Sequence, residues 1–545
     1  MRYLNAIDAA TGAVLWKAFL GATRPYFNGG CYDMPTGVWG IGGTPIIDVQ
    51  SGLIYAVSNG YAHARLVADG SAAPGWPLYL FDPLLNHNYG GLALLNNVLY
   101  VTVASHCDIA PFYGAVLPIH ASVDVAAGVR PAVLNSSTMS PFYPIPVANQ
   151  SEYYAGGIWG SGGVVIAPVA QLGGGASLFV SIGNAAAFGN ESGGNGNPAV
   201  QALFLGESVV RLSPSLAVQT HFKSPAIYNS DDNDIGASPA VFTPSPSSGC
   251  GVTLSVAEQK AGLLVVNDAA TQANIQELQV SSSGGDGFQT TPTYDAVRNL
   301  LYVANQQDGD DPSFGVGLLA FAVTPSCVLS LAWRCDATSG ASTRYPWTSP
   351  TLANGVVYVG TGGHRTVAAC SADTGELLWS AAVTTGDALS SPIVANGVVY
   401  APDFTYGAHG TIYAWALPSV ATASLKTLHL NGAGGAAPPP EGASLAPAPP
   451  APRSSPSSDR RVSPASSGVI AAASAVVAAA SIALGVRLRR RHARRIPAFP
   501  AGLPKNPLFR GAGGPAGGKK ERIPAFTDNP LFAHAEDGSR VAGNC

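Results

Sequence analysis

The chain has little charge. Only 11% of its 545 residues are Asp, Glu, Lys or Arg, against 47% hydrophobic residues, so disorder throughout is excluded and a large buried core is within reach. Long helical runs are scarce too: 64 glycines and 43 prolines break up the apolar stretches, which excludes a mainly helical protein. No C-x-x-C-H sequence is present, so covalently attached haem is excluded. Met1 is followed directly by strand-like residues without a basic segment, apolar core or cleavage site, so any export signal is expected upstream of it.

Short runs rich in Val, Ile, Leu and Tyr stand between turn residues, as in NGVVYVGTGG (354–363) and NGVVYAPDF (396–404). Such runs predict many short strands. One phrase recurs: YLNAIDAATGAVLWKAFL (3–20), LLVVNDAATQANIQELQV (263–280) and CSADTGELLWSAAV (370–383) each read as strand, D-x-T-G-like turn, strand. A fuller unit, SPTLANGVVYVGTGGHRTVAACSADTGELLWSAAV (349–383), is followed by SPIVANGVVYAPDFTYGAHGTIYAWAL (391–417). Four antiparallel strands in about 40 residues make a propeller blade. Further units are expected to open at Thr44-Pro45, Gly90-Gly91, Gly162-Gly163, Ser238-Pro239 and Thr291-Pro292. The expected fold is all-β, a seven- or eight-bladed propeller over residues 1–430. The N-terminal strand and the last unit are expected to share closure of the ring. Because the phrase begins beside Met1, the propeller is expected to be truncated, with blade strands and an export signal upstream.

Beyond the repeats, residues 431–467 are rich in Pro, Ala and Ser and lack hydrophobic periodicity, which predicts a disordered linker. Residues 468–486, GVIAAASAVVAAASIALGV, carry no charge across 19 positions. A helix of that length spans close to 30 Å, enough to cross a bilayer. Six arginines follow between Arg487 and Arg495, against three on the other flank, Arg453, Arg460 and Arg461. The basic side stays cytoplasmic, so the propeller is expected outside the cell or in a lumen, with residues 487–545 as a basic cytoplasmic tail.

Charge follows the same division. The tail holds 12 Lys+Arg and 4 Asp+Glu, leaving 16 against 28 for residues 1–486, so the propeller is acidic and a nucleic-acid partner is not expected. N-x-S/T sequons at Asn135, Asn149 and Asn190 fall on the outer side, where glycosylation occurs. Of seven cysteines, six (Cys31, Cys107, Cys250, Cys327, Cys335, Cys370) precede the span. Their 15 pairings stay open, with Cys327–Cys335 expected as the local bridge. His106, Cys107 and Asp108 form a polar trio at a strand end. Three consecutive strand residues alternate faces, so a disulfide at Cys107 and a turn at Asp108 are expected rather than a metal site.

On the D-x-T-G-x-x-L-W phrase and its repeats, residues 3–417 resemble the pyrroloquinoline quinone (PQQ) repeat propellers, the fold of quinoprotein alcohol dehydrogenases and polyvinyl-alcohol-dehydrogenase-like proteins. Four stretches resemble a narrower subgroup of secreted PQQ-like propellers: YGGLALLNNVLYVTVASHCDIAPFYG (89–114), GGIWGSGG (156–163), GESVVRLSPSLAVQTHF (206–222) and NSDDNDIGASPAVF (229–242). In the dehydrogenases PQQ lies over the central funnel, calcium is held by Glu, Asn and Asp, and an Asp acts as base. The resemblance therefore implies PQQ and calcium as candidate cofactors. It implies Asn59 and Asn184 as candidate calcium ligands, from Trp39-Gly40 with Ser58-Asn59-Gly60 and from Trp159-Gly160 with Gly183-Asn184. Neither pattern continues with the family's usual Pro-Trp. It further implies Asp232 or Asp234 as catalytic base and Lys260, in EQKAG, as the quinone contact. A structural role is the alternative for each: Asn in a tight turn, Asp in a solvated loop, Lys at a surface turn. The family's Glu ligand lies in strands before the first D-A-x-T-G phrase. The adjacent Cys-Cys pair that packs on PQQ in many members is absent here.

The tail repeats itself as RIPAFPAGLPKNPLFR (495–510) and RIPAFTDNPLFAH (522–534). The motifs Asn506-Pro507-Leu508-Phe509 and Asn529-Pro530-Leu531-Phe532 suit exposed turns read by cytosolic adaptor proteins in trafficking, the alternative being duplication of a disordered tail. The leading expectation is a membrane-anchored recognition propeller for an unidentified ligand, with a degenerate cofactor site. The alternatives are a PQQ- and calcium-dependent dehydrogenase of alcohols or sugars, and a trafficking receptor.

Overall fold

The computed structural model describes residues 3–21, 40–105, 111–121, 129–187, 203–223, 234–282, 290–309, 311–337, 348–361, 365–383, 390–403, 410–416 and the backbone of 428–429. All lie within the compact unit Met1–Glu441. The linker, the expected span and the tail lie outside the described residues, as do Cys31, His106–Asp108, Asn190 and Asp232. Among the described residues no helix is long and apolar enough to cross a membrane.

Strand formation follows the expected local rules. In the sixth unit, Thr351–Ala353, Val356–Thr361, Thr366–Ser371 and Leu377–Ala382 form one antiparallel sheet in sequence order. Asn354 and Gly355 turn the chain with positive φ between its first two strands, which is why A-N-G stands there. Burial is deeper in the second strand than in the first or the fourth: Val357 and Val359 are buried, whereas the fourth strand is largely exposed.

Seven such four-stranded blades are described, over residues 46–79, 93–133, 165–223, 240–279, 293–335, 351–382 and 393–429. Blade 2 also carries a short extra strand, Asn86–His87. Each begins within a few residues of a unit opening read from the sequence. The first strands of successive blades lie side by side from blade 1 to blade 7, so they line the axis of the propeller. The second strands are the most buried, and Val98–Ser105, Leu254–Gln259 and Leu300–Asn305 are covered along their whole length. Apolar clusters run continuously from blade to blade, as where Leu264 and Val266 of blade 4 meet Leu301 and Val303 of blade 5.

A second set of contacts ties each blade to the next. The third residue of a second strand is often tyrosine, and its hydroxyl donates to a carbonyl in the third-to-fourth-strand turn of the following blade. Tyr100 reaches Pro214 O at 2.6 Å and Tyr302 reaches Ala372 O at 3.2 Å. On the outer side, Gly375 in the turn of blade 6 lies against Trp333 of blade 5, where a Cβ would come within 2.6 Å of the indole. That glycine also has φ +73°, so both space and backbone exclude a side chain.

Two sequence expectations are corrected. Cys327 and Cys335 do not pair: the disulfides are Cys250–Cys327 and Cys335–Cys370. Cys327 and Cys335 bracket the extended strand Leu329–Cys335, and at about 3.3 Å per residue that strand holds their Cα atoms far beyond bridging range. The observed bonds instead join blade 4 to blade 5 and blade 5 to blade 6. Nor does the N-terminal strand share a sheet with the last unit. Blade 7 supplies its own fourth strand, Leu428–His429, while β1 (Tyr3–Ile7) and β2 (Val14–Phe19) form a separate two-stranded sheet.

Candidate functional site

In several blades the chain leaves the buried second strand with a polar residue at the same end of the propeller. Asn59, Asn184, Lys260, Gln306 and Asp403 all stand at or just beyond such strand ends. Between blades 3 and 4 these positions converge with the loops that open the next blade. Lys260 follows Leu254–Gln259, Asn184 follows Ala176–Ile182, and Asp234 precedes Ala240–Phe242.

Asp234 is the hub. Its Oδ1 accepts the backbone N–H of Asn184 at 2.6 Å, and its Oδ2 lies 3.1 Å from Lys260 Nζ. The backbone closes the same ring, because Lys260 N–H donates to Asp234 O at 3.0 Å. The Asp234 and Lys260 side chains are 6% and 13% exposed. A pair so far from water holds a fixed geometry, because breaking it leaves a charge without solvation.

The Lys260 ammonium also stands 5.1 Å from the Trp159 ring centroid, a cation–π distance. Two glycines make room for the indole. A Cβ on Gly236 would fall 2.0 Å from Trp159 Cη2, and one on Gly183 would fall 3.0 Å from Nε1. The surrounding loops are equally close. Ser238 Oγ donates to Gly163 O, and a Cβ on Gly160 would strike Ser238 N at 2.6 Å. The G-G-I-W-G-S-G-G stretch is thus glycine-rich because two blade-opening loops pack backbone to backbone around one aromatic ring.

Beside this group, Glu258 is fully buried on the strand Leu254–Gln259 that Lys260 follows. Its carboxyl accepts the Thr290 N–H at 2.7 Å and the Thr290 hydroxyl at 3.0 Å. Burial pushes its pKa well above the usual carboxylate range, against the smaller opposing effect of the two Thr290 bonds. Glu258 thereby fixes the loop that opens blade 5.

Of the residues singled out by the resemblance, the structure brings together Asn184, Asp234 and Lys260. Asn59 stands in a turn of blade 1 with φ +56°. Asp232 lies outside the described residues, as does Asn190. Asn135 is exposed, and Asn149 is half-buried in the short turn Val147–Asn149. Trp159 and Glu258 escaped the sequence reading as site residues. The W-G pattern flagged Trp159 only as a marker for Asn184, and a Glu two residues before Lys260 gives no signal of burial.

The donor set does not fit calcium as it stands. Calcium needs six or more oxygens, and both Asp234 oxygens are engaged, one by an ammonium that repels a second cation. Among the described residues no group of three His, Cys, Asp or Glu is placed to hold a metal. What the arrangement offers is a half-covered indole beside an immobilised ammonium, suited to a carbonyl or carboxylate oxygen on a flat or ring-shaped molecule.

Comparison with known proteins places the repeat. A PQQ-repeat family model described as outer membrane protein assembly factor BamB matches residues 330–417, so the PQQ-type repeat read from the sequence holds there. No curated protein matches the chain. Among solved structures, the chain is similar to the quinohemoprotein alcohol dehydrogenase of Comamonas testosteroni, at 15% identity and TM-score 0.48 over 76% of this chain and 71% of that one. It is similar to BamB of Moraxella catarrhalis at 13% identity and TM-score 0.41, over 76% and 92% of the two chains. A europium-containing methanol dehydrogenase has 14% identity and TM-score 0.42 over 65% and 71%.

Proposed function

We propose that this seven-bladed PQQ-like propeller is a recognition module that binds a small carbonyl- or carboxylate-bearing ligand at Lys260 and Trp159. The observation that carries this reading is the engaged state of Asp234. A general base must be able to take a proton, and this carboxylate is already held by the Asn184 N–H and the Lys260 ammonium. Lys260 in turn holds a positive charge beside the Trp159 ring, in a direction that Asp234 fixes.

Titration of the full chain with glucuronate, a ring-shaped carboxylate, and separately with PQQ and calcium, tests this. Glucuronate is expected to raise the melting temperature of the natural protein and not of Lys260→Met. Quinone- and calcium-dependent reduction of an artificial electron acceptor by simple alcohols would overturn the reading in favour of the dehydrogenase. The convergence of Asn184, Asp234 and Lys260 is what favours that second reading.

The proposal extends to location. Residues 468–486 anchor the propeller outside the cell or in a lumen, with the arginine-rich tail cytoplasmic. The two inter-blade disulfides support an oxidising surrounding. Adaptor proteins reading Phe509 and Phe532 would make the molecule a trafficking receptor. Unchanged internalisation of a surface reporter bearing residues 487–545, after Phe509→Ala and Phe532→Ala, would remove that extension.

A further inference from the structure

The β1–β2 sheet meets blade 1 along a seam that has a buried histidine in it. In the third strand of blade 1, Tyr61–Leu66, residues Ala62 and Ala64 pack toward blade 2, so His63 and Arg65 face the hairpin. Their cross-strand partners agree, because Ala56, opposite His63, packs with Leu4, Ala18 and Leu20. The contacts across the seam are few. Trp16 covers Gly70 and donates from Nε1 to Val67 O at 2.8 Å, and Arg65 Nη2 donates to Phe19 O at 3.1 Å. The cluster between blades 1 and 2 is bulkier, with Tyr55, Leu99, Val101 and Ile119 all buried in it. On its other side the hairpin is held to blade 7, where Tyr400 donates to Ala9 O at 2.9 Å.

His63 is 7% exposed, and its Nε2 is buried with no hydrogen-bond partner among the described residues. A proton at Nε2 would be shut away from water, and Arg65 is already a cation on the same face. No described group offsets that charge. The hairpin presents Leu4, Ala18 and Leu20 to the seam, whereas Lys17 lies on its opposite face with the ammonium 4.0 Å from the Tyr3 ring centroid. Each described carboxylate on the adjoining segments is engaged in its own turn: Asp8 with Ala10 and Thr11, Asp48 with Gln50 and Ser51, Asp69 with Ser71, and Asp82 with Leu84. Burial, and after it Arg65, accordingly holds the imidazole down from 6.5 to about 4.

We infer that this seam is an acid-opened joint of the propeller: when His63 takes a proton, the β1–β2 sheet parts from blade 1 while the other blades stay folded. The proton comes from solvent and adds to Nε2, and only packing contacts and the two side-chain hydrogen bonds are given up. Once the seam is open, the imidazolium and Arg65 both stand in water, where their repulsion is screened. Loss of the proton lets the neutral faces close again. Because the closed seam titrates at about 4 and an exposed imidazole at 6.5, the open population rises about tenfold for each pH unit between those values. A two-stranded sheet is marginal by itself, so parting exposes its amides to exchange.

Hydrogen exchange of the full chain in detergent, measured between about pH 7 and about pH 4.5, reads this joint. Protection factors at Leu4–Ile7 and Val14–Phe19 are expected to fall about tenfold per pH unit below 6.5, while those at Val98–Ser105 in blade 2 hold. His63→Gln, which stays neutral, is expected to make hairpin protection independent of pH. Hairpin protection that ignores pH in the natural protein overturns the inference. So does a parallel loss in blade 2, which marks general acid unfolding, and so does an undiminished fall in His63→Gln. Should that variant fail to fold, the His63 imidazole resonance of the natural protein decides: titration near 6.5 with hairpin protection intact overturns the inference, and titration in step with the loss of protection supports it.

Discussion

The same repeat phrase stands in two surroundings. In blades 4 to 6 it is enclosed: Leu301 and Tyr302 are fully buried, and disulfides join each blade to the next. At the junction of blade 7, β1–β2 and blade 1 it is open: Ile393, in the first strand of blade 7, is 63% exposed. Local sequence is nearly identical, with L-L-Y in one place and V-V-Y in the other, so strand formation is the same. What differs is whether a neighbour covers the face, and most of the stabilisation comes from that covering.

Six changes would sharpen or break this contrast. The largest effect is expected from replacing Cys250 and Cys327 with serine. The bond closes a loop across 77 positions, so its loss should lower unfolding free energy by roughly 4 kcal/mol, seen as an earlier denaturant transition with β1–β2 contacts unchanged. Leu301→Ala should cost about 3 kcal/mol from its cavity, whereas Ile393→Ala should change stability by less than about 0.5 kcal/mol. Equal losses at the two sites would end the comparison. Lys260→Met leaves Asp234 shielded from water without its cation and should cost roughly 3 kcal/mol, with Lys260→Arg recovering much of it. Tyr400→Phe, at the open junction, removes one hydrogen bond to Ala9 and should cost about 1 kcal/mol or less.

The two regions also respond to pH in opposite directions. Glu258 has a raised pKa in the fold, so its contribution is complete below the unfolded value near 4.5 and is lost as pH rises through the folded one. His63, in the blade beside the hairpin, is lowered from 6.5 to about 4 by burial and then by Arg65. Its contribution is complete above pH 6.5 and is lost as pH falls toward 4. Glu258→Gln should therefore flatten the alkaline side of the stability profile and His63→Gln the acid side. A profile unchanged by both would remove the buried-charge explanation.

The blades were legible because their signals are local. A-N-G, V-V-Y and D-x-T-G each specify a turn or strand within a few residues, and all seven unit openings coincide with blade starts. The site was legible only in part. Asn184, Asp234 and Lys260 were singled out only through the resemblance, and the structure brings them together, but Trp159 enters through the space left by Gly183 and Gly236, two positions in other segments. Cysteine pairing was the clearest miss. Eight positions separate Cys327 from Cys335 along the chain, yet an extended strand makes that the wrong pair, and the true partners come from adjacent blades.

Those cross-blade bonds also decide what happens when the backbone is severed. One peptide bond cut anywhere between Cys250 and Cys327, or between Cys335 and Cys370, yields two pieces that a covalent sulfur bridge still holds together. A clipped molecule of that kind runs at full mass on a gel until a reductant is added. Over most of three blades, then, an intact mass is no proof of an intact chain.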